Sequence, residues 1–296
     1  MNFEHLNPNM EELAQQLERD DQYRVLRAVP EPYCMMPGSG SPPEGICIAI
    51  VDTETTGLAH DADTIIELAI MLVFVGDDGE VTGHFGPFSW LQDPQRILDP
   101  RITLITGLAS QHLTGQKIDD EFACGLLERA DLIVAQNARF DAGFIERRYP
   151  QLAGRAWACS CNELDWLMLG YEGRSQQHLL AQAGWFSSAH RAAADVWSLF
   201  WLLTQRQRDP RGGVERTHLA RLIEAARTTT VMIQAERAPY SAKDMLKARG
   251  YSWNPDARFW QRELVQGKVE HEQAWFYRCG LPTPTLRTIT ATERHR

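Results

Sequence analysis

The chain has 296 residues, a formal charge of −9 and a hydrophobic fraction of 44%, enough for one large domain with a smaller companion, or two of moderate size. Apolar runs such as ICIAIV (46–51) fall far short of the roughly 20 residues a bilayer crossing needs. The polar, acidic N-terminus does not read as a signal peptide, so no membrane association and a cytoplasmic location are expected.

Six cysteines are scattered without a C-x-x-C pair, and they read as small apolar residues of a reduced compartment. The charge is uneven. Residues 230–296 hold 11 Lys/Arg and 7 Asp/Glu, a net +4, which leaves −13 on the remainder. An acidic body with a basic tail points to an anionic partner for the tail.

Residues 10–27 are predicted as an amphipathic helix, with Asn9 as N-cap and Glu12 at the third helical position. The Pro-, Gly- and Ser-rich stretch 29–45 reads as a linker or long loop, which makes 1–45 an N-terminal helix and linker. ICIAIVD (46–52) is a continuous apolar run, as in a strand buried on both faces. Residues 64–75 and 81–91, joined by GDDGE, predict a hairpin. Short helical pieces follow in 102–115, then a helix over 119–130, a strand over 131–136 and a helix over 138–150 that stops at Pro150. Two helical segments lie within 161–183, and a helix with Val196, Leu199, Phe200 and Leu203 at helical spacing covers 190–207. This is a mixed α/β layer occupying 46–207. RDPRGG (208–213) opens a linker and helix, 208–227. Residues 228–280 predict a small separate α+β domain in the order β-α-β-β-α, with a box of Ser241 and Asp244 opening its first helix. Residues 281–296 read as a tail.

Three places carry chemistry. In IVDTETTGL, Asp52 and Glu54 are two apart on a strand, so both side chains leave on one side. Two close anions repel, and a hard divalent cation with oxygen ligands resolves the conflict. In QNARFD, Asp141 falls in the first turn of a helix, where the helix dipole alone would account for an acid. Asn137 is a candidate cap there. In AHRAAADV, Asp195 sits among apolar neighbours, where an unpaired acid is costly. His190 reaches the same place if it lies in the loop before the helix.

The ordered set VDTETTGL, NARFD and HRAAAD resembles the three exonuclease motifs of the DEDD superfamily in its histidine-containing variety, the family of the proofreading epsilon subunit of bacterial DNA polymerase III. ITLITGL (102–108) is similar to the family's region beside the terminal nucleotide. The resemblance covers about residues 46–205. It implies an RNase H-like fold, a mixed five-stranded sheet flanked by helices. It implies two divalent cations, Mg²⁺ or Mn²⁺, held by Asp52, Glu54, Asp141 and Asp195, with His190 as general base. It also implies that Thr55, Leu58, Asn137 and Phe140 contact the terminal nucleotide. The expected activity is hydrolysis at DNA 3′ ends with release of nucleoside monophosphates. The alternatives are RNA 3′ ends, a non-catalytic nucleic-acid-binding subunit on the same fold, and a proofreading partner of a polymerase. Gln136 departs from the family, many of whose members carry His there, and altered substrate contacts are expected from it.

In the C-terminal segment, Tyr251, Trp253, Phe259 and Trp260 are interleaved with Lys243, Lys247, Arg249, Arg258 and Arg262. That pattern suits single-stranded nucleic acid, although a unit of about 50 residues also needs aromatics for its own core. The segment resembles a short appendage found on some bacterial members of the family.

Overall fold

The computed structural model describes residues 6–36, 41–187, 190–209 and 212–296. Residues 37–40 of the expected linker, Ala189 of the third motif and residues 210–211 lie outside the described residues. The chain forms two compact units, one of residues 1–225 with 295–296, the other of 226–294. Among the described residues, no helix is long and apolar enough to cross a membrane.

The first unit runs α1 (Pro8–Leu17), β1 (Arg27–Ala28), β2 (Ile46–Thr55), β3 (Ile65–Val75), β4 (Val81–Leu91), α2 (Pro100–Thr106), α3 (Ser110–Leu113), α4 (Asp120–Arg129), β5 (Leu132–Ala135), α5 (Ala138–Arg148), β6 (Trp157–Cys159), α6 (Ser160–Glu163), α7 (Gln176–Gln182), β7 (Trp185–Phe186), α8 (Ala192–Thr204), β8 (Arg206–Arg208), β9 (Glu215–Thr217) and α9 (His218–Arg227). Five strands form the central sheet in the order β4-β3-β2-β5-β6. β2 is antiparallel to β3 and parallel to β5, and β5 is parallel to β6. This is the RNase H-like mixed sheet.

β2 is buried through Val51 and alternates from Asp52 onward, with Thr53 and Thr55 inward. The strand enters tightly: a β-carbon on Gly45, which has φ 111°, would stand 2.0 Å from the Val75 carbonyl oxygen. Ala49 and Val51 point to the face covered by α4 and α5 and join one core cluster with Leu127, Ala142 and Ile145. The intervening residues point to the opposite face, where α8 packs against β2, β3 and β4. Burying these apolar side chains contributes about 1.5–3 kcal/mol each before ordering costs.

Several elements differ from the sequence expectation. α1 begins at Pro8 with Asn7 as cap, accepting from the Asn9 and Met10 amides. Proline is well suited to the first helical position, which moves the start forward. The helix ends at Leu17, with Leu13 and Leu17 exposed. Part of the expected 29–45 linker is a strap. β1, just ahead of it at the end of the expected 10–27 helix, pairs in parallel with β7, and the linker continues the contact: the Val29 N–H donates to the Phe186 carbonyl at 2.9 Å, and the Trp197 indole N–H donates to the Pro30 carbonyl at 2.7 Å. β8 and β9, on either side of the expected 208–213 linker, pair antiparallel.

The second unit runs β10 (Thr230–Ala235), α10 (Lys243–Ala248), β11 (Ser252–Asn254), β12 (Phe259–Val265), α11 (Val269–Arg278) and β13 (Thr285–Ile289). Residues 285–289, read as tail, pair antiparallel with β10. The sheet order is β11-β12-β10-β13, all antiparallel, which is the split β-α-β arrangement. The Ser241 box does not form: residues 240–242 are a 3₁₀ turn and α10 has no side-chain cap. The core holds Val231, Ile233, Leu246, Tyr251 and Phe276. Beside it Glu272, 3% exposed, accepts from Arg249 at 3.2 and 3.0 Å and from the Tyr251 hydroxyl at 3.1 Å. Replacing Glu272 by Ala leaves these donors without their acceptor. Because Arg249 is partly exposed, the expected loss is about 2 kcal/mol by urea denaturation of the full chain, while Lys247→Ala stays within about 0.5 kcal/mol.

Candidate active site

The parallel pairing of β2 and β5 brings both strands' C-terminal ends to one edge of the sheet, the usual ligand side of such sheets. Past Ile50, β2 has no β5 partner, and Asp52 and Glu54 stand half-buried on its α8 face. Asp195, in the first turn of α8, meets them there. One carboxylate oxygen from each of Asp52, Glu54 and Asp195 lies within 4.8 Å of the others. Asp141 comes from the first turn of α5, on the other side of the strand. Its carboxylate is 3% exposed and accepts from the Thr53 hydroxyl at 2.8 Å. Thr53 therefore links Asp141 to the strand that carries the other acids, but Asp141 stands outside their close group.

His190 sits just before α8 with φ 64°. Its backbone N–H donates to Asp195 Oδ2 at 2.8 Å, and its side chain is exposed. His190 thus lies in the loop before the helix, and its backbone reaches Asp195 five residues later in the chain. The Gln177 amide donates to Asp195 Oδ1 at 3.4 Å. The Gln176 amide donates to the Asp195 carbonyl and the Ser198 hydroxyl, both at 2.8 Å.

Residues 49–199, just over half of the chain, match the family described as Exonuclease, RNase_T. The chain belongs to the exonuclease family. Among known proteins, the chain is similar to DNA polymerase III PolC-type of Staphylococcus haemolyticus, 36% identical over 35% of this chain and 7% of that protein. PolC-type of Bacillus subtilis is 35% identical over 35% of this chain and 7% of its own length. The chain thus spans a small fraction of those relatives. Among solved structures, Exonuclease X in complex with 5′-overhanging duplex DNA aligns at TM-score 0.39 and 21% identity, over 60% of this chain and 90% of that one. Exonuclease I of E. coli with a dA16 oligonucleotide aligns at TM-score 0.47 and 16% identity, over 84% of this chain and 66% of that one. Both are distant likenesses.

The acids of the site perturb one another. Burial pushes the Asp52 carboxyl well above its usual range, and the charges of Asp141, Asp195, Glu54 and Glu67 push the same way. Glu54 is raised to about 7, first by burial and then by Asp195, Glu67 and Asp141, against a smaller opposing pull from Arg191. Asp141 is raised to about 7 by burial, against the Thr53 hydrogen bond. Asp195 is raised by burial, against the His190 N–H. An all-oxygen set of this kind fits a hard divalent cation better than zinc, which favours nitrogen and sulfur.

The expected substrate contacts divide. Leu58 is 83% exposed on the turn after Glu54, free to meet a ligand. Asn137 is exposed and makes no side-chain cap bond. Thr55 is buried and its hydroxyl donates to the Gly57 carbonyl at 2.6 Å, so its side chain closes the turn. Phe140 packs against the core and against His60 and Phe144. Gln136 is also structural: its amide donates to the Arg174 carbonyl at 2.7 Å and its oxygen accepts from the Ser160 hydroxyl.

The sequence reading missed Thr53, Gln177 and Glu67 at the site. Thr53 alternates with the two acids, which is a signal for a residue on the opposite face. Glu67, an acid inside the apolar run TIIELAIM, is the clearest signal overlooked.

In the absence of divalent cations the raised carboxyls have a definite consequence for stability. The folded chain holds protons that the unfolded chain releases at ordinary carboxylate pKa values. Stability therefore falls as pH rises from about 4.5 through the folded values near 7 of Glu54 and Asp141. Urea melts in EDTA at pH 5, 6 and 7 should show this decline, and Asp52→Asn should flatten it.

Proposed function

We propose that this chain is a metal-dependent 3′→5′ exonuclease of the histidine-containing DEDD variety, releasing nucleoside monophosphates from DNA ends in proofreading or repair. The observation that carries the reading is the convergence of Asp52, Glu54 and Asp195 within 4.8 Å at the open edge of the sheet. These three would hold one Mg²⁺ or Mn²⁺ ion, and Asp52 and Asp141 a second. Such ions supply charge stabilisation for the attacking and leaving oxygens and acidify water. His190 takes the proton of the attacking water. Its backbone bond to Asp195 fixes its position relative to the acids, and its exposed ring is open to solvent and substrate. Leu58 offers an apolar surface for the terminal base.

The test is a nuclease assay on end-labelled single-stranded DNA, duplex DNA and RNA, with Mg²⁺ or Mn²⁺. Asp52→Ala is expected to lower turnover by at least about 10³-fold, a loss of about 4 kcal/mol of transition-state stabilisation, with the fold retained. His190→Ala is expected to lower it by about 10²-fold near neutral pH. Full turnover by Asp52→Ala, or in EDTA, would remove the metal reading. RNA as the better substrate would shift the assignment to RNA ends, and no cleavage at all would favour a binding subunit. Coprecipitation with a replicative polymerase tests the proofreading setting.

The second unit supports single-strand binding through fewer residues than its sequence suggested. Tyr251 is in the core, Trp260 packs against it, and Arg249 and Arg262 face the buried Glu272. Trp253 remains 49% exposed, edge-on to Trp260 across the β11–β12 pair. It is the stacking candidate, with exposed Lys243, Lys247 and Arg258 for phosphates. Base stacking on an aromatic contributes about 1–3 kcal/mol. Trp253→Ala should therefore weaken single-stranded DNA binding by the full chain by about tenfold, and Lys247→Ala should make the salt dependence shallower. Unchanged values for both would sink this role.

A further inference from the structure

Glu67 has no part in the chemistry just described, yet it lies beside it. It is directly across from Glu54 in the β2–β3 register and is 1% exposed. A buried carboxylate next to other acids adds to their repulsion, and its charge pushes the Asp52 and Glu54 carboxyls up. An apolar residue of similar size would avoid that cost. What Glu67 does have is a full set of donors. Arg191 reaches it twice, at 3.1 and 3.2 Å. The Ala192 N–H, an otherwise orphan donor in the first turn of α8, reaches it at 3.3 Å. The Ser89 hydroxyl on β4 donates at 2.9 Å. Three elements of the fold thus meet on one side chain.

We propose that Glu67, held by Arg191 and Ser89, is a positioning clamp that fixes the first turn of α8 so that Asp195 and His190 face Asp52 and Glu54. Arg191 lies between His190 and α8, so the same bond that neutralises Glu67 also holds the bend at His190. The rest of α8 is seated by Val196, Leu199 and other apolar residues. The clamp fixes only the end where the chemistry is, and Arg191 keeps Glu67 engaged away from any cation. This inference rests on the proposed metal site.

The test uses the full chain and two readouts: Mn²⁺ binding by calorimetry, and kcat and KM on a single-stranded oligonucleotide. Glu67→Gln is expected to weaken Mn²⁺ binding about tenfold and lower kcat by about 10–100-fold, as for other partners that orient metal ligands, with KM within about twofold. Arg191→Gln should do the same, and the double variant should be no worse than the poorer single one, since both break one interaction. Ser89→Ala removes one donor alone and should give a smaller loss in the same two quantities, which keeps the test open should Glu67→Gln fail to fold. Wild-type Mn²⁺ affinity and kcat in a folded Glu67→Gln or Ser89→Ala variant, or additive losses in the double, would overturn the clamp. If the wild-type chain itself binds no Mn²⁺, the metal site fails and the clamp with it. If only the variants behave as wild type, the clamp alone fails.

Discussion

Mutual repulsion among carboxylates at the end of a dry strand is the constraint around which this molecule is arranged. β2 is buried on both faces until Val51 and then presents Asp52 and Glu54 with little water to screen them. Asp195 and Asp141 are brought to the same edge. Apart from cations, such a group is held together by a few hydrogen bonds, from Thr53 to Asp141 and from the His190 N–H and Gln177 to Asp195, and by the apolar packing around it. The packing is correspondingly strong: α4 and α5 seal one face of the sheet and α8 the other. Fold stability and site geometry thus oppose each other locally, and the core supplies the difference.

Topology decides which acids can meet. Alternation along β2 sends Asp52 and Glu54 toward α8 and Thr53 toward α5. Asp195 joins the first two directly, whereas Asp141 is linked through the Thr53 hydroxyl. The motif that looks linear in sequence is thus divided between two faces of one strand. The second unit settles a different competition. Its aromatics serve mainly its own small core, as expected for a unit of this size, and only part of the aromatic and basic cluster stays at the surface.

Much of this was legible in the sequence because the signals were local. The apolar run from Ile46 marked β2, and residues 64–75 and 81–91 around the turn GDDGE marked the β3–β4 hairpin, with 81–91 matching β4. The three acidic motifs follow strand and helix ends that periodicity locates well. The missing parts depend on distant partners. β6 is three residues long, too short for any period to register, and exists because β5 offers an edge. β13 likewise needs β10 beside it. Glu67 looks like an intruder in an apolar strand until Arg191, 124 positions later, is placed on it. Tyr251 and Arg249 looked like nucleic-acid contacts because Glu272, their actual partner, lies on another helix. Thr55 and Phe140 had the right neighbourhood, but side-chain direction sent them inward.

The left-handed backbone at His190 places two demands on one position. A residue with a β-carbon is strained there by about 1–2 kcal/mol, and glycine would relieve it. Glycine, however, has no imidazole. Variation at this site is therefore pulled in opposite directions, and a screen for thermal tolerance would be expected to select the very replacement that removes the proposed general base.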